Sequence, residues 1–165
     1  MRSTQMAAIR PAVNQVESHP YLPQTRLLKY CSAQGIQLVA YSPLGSPGNA
    51  AVRLKSKSGA AAAPLLVKHP LVLRIAQEVR KTAAQVLLRW QLQRGVIPIP
   101  KSTHEVRMRE NAGLWGWALS DAHMAGLASL GHENHVRYVP GNAAWRSAPV
   151  VPGGRFEALW EDDDN

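Results

Sequence analysis

Lys101, Ser102, Thr103 and Arg107 stand where an apolar run of strand character, Val96 to Pro100, gives way to an Arg- and Glu-rich segment of helical character. A helix N-terminus presents backbone N–H groups without intrahelical acceptors and the positive end of the macrodipole, so an anion placed there is already partly neutralised. Lys101 adds a point charge and Arg107 a planar fork of donors, while Ser102 and Thr103 can cap the helix or bond phosphate oxygens directly. Phosphate binding is the chemistry this spacing could do. An ordinary capped helix would use the same residue types, so the choice between the two depends on the rest of the chain.

The 165 residues suit one domain, and 45% hydrophobic with 18% charged content is ordinary globular composition. Nineteen Lys and Arg against eleven Asp and Glu give a formal charge of +8, which points to anionic partners. No RNP-like or zinc-finger pattern is present, so nucleic acid is not the expected partner. A single cysteine, Cys31, excludes an internal disulfide and is expected to be a small buried hydrophobe. No run reaches transmembrane length and MRSTQMAAIRPAV lacks a signal-peptide core, so a cytoplasmic protein without membrane contact is expected.

The elements that must position the cluster follow from the patterning. Residues 11–17 read as a short strand, and Gln24 to Gln34 as a helix with Leu27, Leu28 and Cys31 at helical spacing and Gly35 as its left-handed cap. Ile36 to Tyr41 reads as a buried strand that stops at the turn-rich Ser42–Gly48. Residues 49–64 lack a hydrophobic period, and their Arg53, Lys55 and Lys57 read as a solvated loop. Leu71, Ile75 and Val79 mark one helix. Thr82 with Gln85 is a capping box for a second, with Val86, Leu87 and Trp90 inward and Gly95 at its end. Pro98 predicts a short or irregular strand over Val96–Pro100. Trp115 and Trp117 are expected in the core. Ser120 caps a last helix carrying Met124, Leu127 and Leu130 and closed by Gly131, after which the chain from His132 onward reads as loop. Strands alternating with helices make the class α/β with parallel pairing, and chemistry should collect beyond the carboxyl ends of the strands. His19 is expected to pack or hydrogen-bond beside the sheet, and His132 with His135 is a weak metal pair.

At this point the residues resemble the carboxyl-terminal half of the aldo-keto reductases. The matching pieces are PAVNQVESHPYLPQTRLLKYC, GIQLVAYSPLGSP and TAAQVLLRWQLQRGVIPIPKS, then Arg107, Glu110 and Asn111, and more weakly GHENHVRYV. They come in the family's order from about Ala8 to Val139. The resemblance implies a partial TIM-type (β/α)8 barrel, roughly the last three strand–helix units plus extra helices and a C-terminal loop. Residues 1–139 would form the partial NADP(H)-dependent oxidoreductase barrel and residues 140–165 the loop and tail. It also implies NADP(H) as cofactor and, where the barrel is completed, a small-molecule carbonyl substrate reduced to an alcohol. Carried over by position, Tyr41 resembles the residue on which the nicotinamide stacks and Gln15 the one that holds its carboxamide. Ser42, Leu44 and Ser46 resemble the pyrophosphate loop. Lys101, Ser102 and Arg107 fall on the clamp for the adenosine 2′-phosphate, with Thr103 the hydroxyl beside them, and Glu110 and Asn111 on the adenine contacts.

Three departures qualify this. The family's acidic latch position is Gly48 here, followed by a basic loop from which Lys55 or Lys57 would reach the pyrophosphate instead. His104 replaces a small residue of the clamp. The family's tyrosine, lysine, aspartate and histidine acid–base set belongs to the amino-terminal half, and none of Tyr21, Tyr30, Tyr41 or Tyr138 stands in that context. The expectation is therefore a cofactor-binding part without catalytic residues of its own, inactive alone. Its alternative is a non-catalytic NADP(H)-binding or chain-pairing barrel fragment. Trp145 and Phe156 fall where the family's last loop lines the substrate pocket, and there the chain departs most from the family.

Overall fold

The computed structural model describes residues 9–47 and 64–138; Gly48, Arg53, Lys55, Lys57, Trp145, Phe156 and the whole of 140–165 lie outside them. Three parallel strands, β1 (Val13–Glu17), β2 (Gln37–Tyr41) and β3 (Ile97–Pro98), form a sheet in chain order. The register runs Val13 opposite Gln37 through Glu17 opposite Tyr41, then Val39 opposite Ile97. Helix α1 (Thr25–Ala33) makes the first crossover. After β2 come α2 (Pro70–Glu78) and α3 (Ala83–Gln93), and after β3 come α4 (Glu105–Ala112) and α5 (Asp121–Glu133). This is the α/β class with the parallel pairing that the alternation demands, and its three-stranded sheet is that of a partial barrel.

Pro98 is accommodated by strand alternation. The Ile99 N–H donates to the Ala40 carbonyl at 3.0 Å, so the nitrogen of Pro98, one residue earlier, faces away from β2 and removes no bond between the two strands. Cys31, Leu38, Ala40 and Val96 are buried between sheet and helices, as expected for Cys31. The opposite face is open in part, with Val39 and Glu17 buried on it. Val13 is 51%, Ile97 46% and Ile99 44% exposed, and Gln15 lies exposed beside them.

A second core, around Trp90, Leu87, Ile75 and Leu127, joins α2, α3 and α5. The helix starts are chemically specified. The Thr82 hydroxyl accepts from the Gln85 N–H at 3.2 Å and the Gln85 side chain accepts from the Thr82 N–H at 3.0 Å, which is the capping box the spacing predicts. Helix α2 starts on His69, whose Nδ1 accepts from the Leu71 N–H at 3.2 Å, with Pro70 in the first turn.

Several expectations are corrected. Helix α5 does not close at Gly131 but runs to Glu133. Gly131 serves close packing: a Cβ there would sit 2.8 Å from Cδ of Pro23 and 3.0 Å from the Pro20 carbonyl. Trp115 is 74% exposed rather than core, because Gly116 at φ +79° turns the chain directly after it. Trp117 is half-buried, with the Lys81 and Arg89 cations 5.6 and 5.9 Å from its ring centre. After Glu133 the described chain is loop, as expected, but it is tied to the body: the Val136 N–H donates to the Tyr21 carbonyl at 3.2 Å and Tyr138 is fully buried. A short 3-10 turn, Leu66–Lys68, also lies in a stretch with no helical signal in sequence.

Candidate functional site

The carboxyl ends of the three strands bring together the segments singled out in sequence. Gln15 lies on β1 two residues before Glu17, which pairs in register with Tyr41, so the two side-chain positions share the open face of adjacent strands. Tyr41 is half-buried, and burial is the first cause raising its phenol above the usual value, with the Glu17 carboxylate adding to it.

Beyond Tyr41 the backbone turns sharply. Ser42, Gly45 and Ser46 have φ of 49, 71 and 42°, and the Gly45 N–H donates to the Ser42 carbonyl at 2.9 Å. Two serines in the left-handed region are costly, about 1 kcal/mol or more each, so neighbouring structure must hold the loop. The Ser46 hydroxyl donates to that of Ser42 at 2.9 Å, gathering both polar tips, while Leu44 packs inward.

After β3, Lys101, Thr103 and Arg107 are exposed and Ser102 is half-buried. Neither Ser102 nor Thr103 is the helix cap expected from their types. His104 is the N-cap, with no side-chain cap bond, and the Ser102 hydroxyl accepts from the His104 N–H at 3.1 Å. The first N–H groups of α4 are left to point outward. The two arginines of this helix differ in their ion pairing. Arg109 is committed to Glu105, one turn back, at 2.7 Å, whereas Arg107 and Lys101 have no acidic partner among the described residues. Two uncommitted cations beside bare N–H groups can take an anion with at least two charged oxygens.

Helix α4 buries no residue, with Val106 56% and Met108 48% exposed. It is held by polar side chains of α3 one turn apart. Gln85 donates to the Glu110 and Gly113 carbonyls at 3.1 and 3.0 Å, Arg89 to Leu114 at 3.0 Å and Gln93 to Leu119 at 3.0 Å. These bonds satisfy carbonyls at and beyond the C-terminus of α4 and fix where its N-terminus points. Glu110 and Asn111, both half-buried, lie on its last turn. The stripe was missed in sequence, although polar residues at i, i+4 and i+8 on a largely apolar helix are its signal.

A buried polar cluster also escaped the sequence reading. Glu17 and His19 are both fully buried with Nε2 of His19 2.9 Å from Oε1 of Glu17. The same oxygen accepts from the Tyr138 N–H at 2.6 Å. Burial is the main cause holding the His19 pKa below its usual 6.5. A neutral ring then donates from Nε2 to the carboxylate, and Nδ1, which has no partner among the described residues, keeps only a lone pair. His19 thus bonds beside the sheet, as expected. His132 and His135 are both exposed, and no group of three His, Cys, Asp or Glu among the described residues could hold a metal.

His19 and His69 set an acid limit. Both pKa values are lowered, by burial first, so between those values and about 6.5 the unfolded chain binds more protons than the folded one. Stability should therefore rise with pH through that window and fall as pH drops below about 6.5. Thermal melts at pH 5.5 and 7.5 should differ by several degrees in favour of the higher pH. His69→Asn, which keeps a cap acceptor without titrating there, should narrow the gap.

The protein-family model that matches, over residues 1–132, is that of the aldo/keto reductase family. An aldo/keto reductase of Synechocystis is 43% identical over 95% of this chain and 45% of its own length. The human aldo-keto reductase family 1 member A1 is 42% identical over 81% of the chain and 38% of its own length. A crystal structure of an aldo/keto reductase from Brucella melitensis superposes with a TM-score of 0.64 at 28% identity, over 78% of this chain and 43% of that one. The chain thus spans less than half the length of these relatives. No helix among the described residues is long and apolar enough to cross a membrane.

Proposed function

This chain belongs to the aldo/keto reductase family of oxidoreductases, and we propose that it is the part of an NADP(H)-dependent carbonyl reductase that binds the cofactor along the carboxyl ends of its strands. The observation that carries the reading is the pair of cations without an acidic partner among the described residues, Lys101 and Arg107, at the N-terminus of α4, while Arg109 is paired with Glu105. A dianionic 2′-phosphate is the group of NADP(H) that such a site suits and that NAD(H) lacks. Ser102 and Thr103 add hydroxyls, and Glu110 and Asn111, on the last turn of α4, would meet the adenine. The paired Ser42 and Ser46 hydroxyls, with the backbone at Leu44, would line the pyrophosphate. Tyr41 would present its ring to the nicotinamide and Gln15 its amide to the carboxamide. When bound, the cofactor supplies the hydride.

Proton delivery is assigned to no residue of this chain, since none of Tyr21, Tyr30, Tyr41 or Tyr138 stands in the family's acid–base context. On this reading the chain binds NADP(H) but does not turn over carbonyl substrates unaided. The open sheet face of Val13, Ile97 and Ile99, with Val106 and Met108 on α4, supports the second half of the proposal, that further barrel segments cover these surfaces in the active enzyme. Titration with NADPH, followed by quenching of tryptophan fluorescence, should saturate, with NADH binding at least about tenfold more weakly. Absent or equal binding of the two would refute the assignment.

A further inference from the structure

The loop proposed to carry the pyrophosphate is strained, and it is braced by Leu66 and, from the far end of the described chain, by Tyr138. Oε1 of Glu17 accepts the Tyr138 N–H at 2.6 Å across a separation of 121 residues. A Cβ on Gly45 would lie 3.1 Å from Cε2 of Tyr138 and 2.8 Å from Cδ1 of Leu66, so that ring rests directly under the turn. The His19 ring packs on the Tyr138 ring with centroids 5.1 Å apart, and the Val136 N–H bonds the Tyr21 carbonyl. Glu17 is itself fixed, because the Gln24 side chain donates to its carbonyl at 3.0 Å.

We infer that Glu17 is a positioning residue for the Ser42–Ser46 loop, acting through Tyr138, whose backbone it pins and whose ring supports Gly45. The inference rests on the cofactor-binding reading for its effect on NADPH, but its mechanical part stands without cofactor. Fully burying a carboxylate is unfavourable unless it is bonded, and here one oxygen serves both a backbone N–H and an imidazole. Removing it frees the Tyr138 segment, and the ring beneath the left-handed turn leaves with it.

The test is hydrogen exchange of the cofactor-free full chain, read at Leu44–Ser46 and at Val136–Tyr138, together with NADPH titration. Glu17→Ala should speed exchange in both segments and weaken NADPH about tenfold. Glu17→Gln, which keeps an acceptor oxygen for the Tyr138 N–H, should recover most of both. Tyr138→Ala leaves Glu17 in place and should loosen Leu44–Ser46 alike, which keeps the test usable if Glu17→Ala fails to fold. Faster exchange confined to Val136–Tyr138 in Glu17→Ala, or an unchanged loop in Tyr138→Ala, would overturn the inference. If the wild-type chain binds no NADPH while the two segments still loosen together, the cofactor reading fails and the coupling of tail to loop stands.

Discussion

Trp90→Ala is expected to abolish cooperative unfolding of the chain. Trp90 is fully buried where α2, α3 and α5 meet, its indole N–H donates to the Met124 carbonyl at 3.3 Å, and the Arg94 guanidinium lies 4.1 Å from its ring centre. Truncating a buried tryptophan costs about 3–5 kcal/mol through lost transfer energy and the cavity left behind. The loss extends to Arg94, which reaches the Pro23 carbonyl and the Gln91 side chain, and which burial has already pushed down to about 10. Deprived of the ring, that cation keeps its desolvation and loses part of its compensation. Small domains hold about 5–15 kcal/mol in total, and a sheet with exposed Val13, Ile97 and Ile99 sits at the low end. A far-UV circular dichroism melt should therefore lose its sigmoid in Trp90→Ala. Trp90→Phe, which keeps most of the ring, should melt cooperatively at a lower temperature. A Trp90→Ala midpoint within a few degrees of wild type would show that the helical core does not organise this fold.

What the sequence disclosed was local, and what it hid depended on distance. The Thr82 and Gln85 capping box, the Gly35 and Gly95 turns and the short strand at Pro98 are each decided within a few residues, and each is found where expected. Gly131 and Gly35 look alike to a reader of helix ends. Only packing against Pro20 and Pro23, over a hundred residues earlier, makes one an interior contact and the other a left-handed cap. Trp115 and Trp117 differ only in which side of the Gly116 turn they occupy. Tyr138 was beyond reach because its partner is the Glu17 carboxylate on the first strand.

The candidate site divides along the same line. That Tyr41–Ser46 and Lys101–Arg107 follow strands was legible from apolar runs ending in turn residues, and parallel pairing then had to place them on one edge. The state of each cation lay in a spacing that the sequence reading left unused. Arg107 and Arg109 are two residues apart with the same charge, and the helix phase, which puts Glu105 one turn before Arg109, separates a paired arginine from an available one. Nor did the sequence show that His104 rather than Ser102 or Thr103 would occupy the cap.

That distinction yields the second large expected effect. Replacing Arg107 by Ala should weaken NADPH about 10- to 100-fold, the loss of a charge-assisted bond worth about 1.5–3 kcal/mol, and leave NADH nearly unchanged. Arg109→Ala is the control. It removes the same formal charge from the same exposed helix but one already engaged with Glu105 at 2.7 Å, so it should change NADPH affinity less than about threefold. Salt should erode the Arg107-dependent part of NADPH binding, because the site is exposed and its attraction is screened. Lys101→Ala should fall between the two variants, since an ammonium contributes a point charge without the fork geometry that matches a phosphate. Equal losses for NADPH and NADH in Arg107→Ala would show that this arginine meets a part common to both cofactors. Equal losses in Arg107→Ala and Arg109→Ala would show that only the general positive field of α4 matters, and the specific clamp would have to be abandoned.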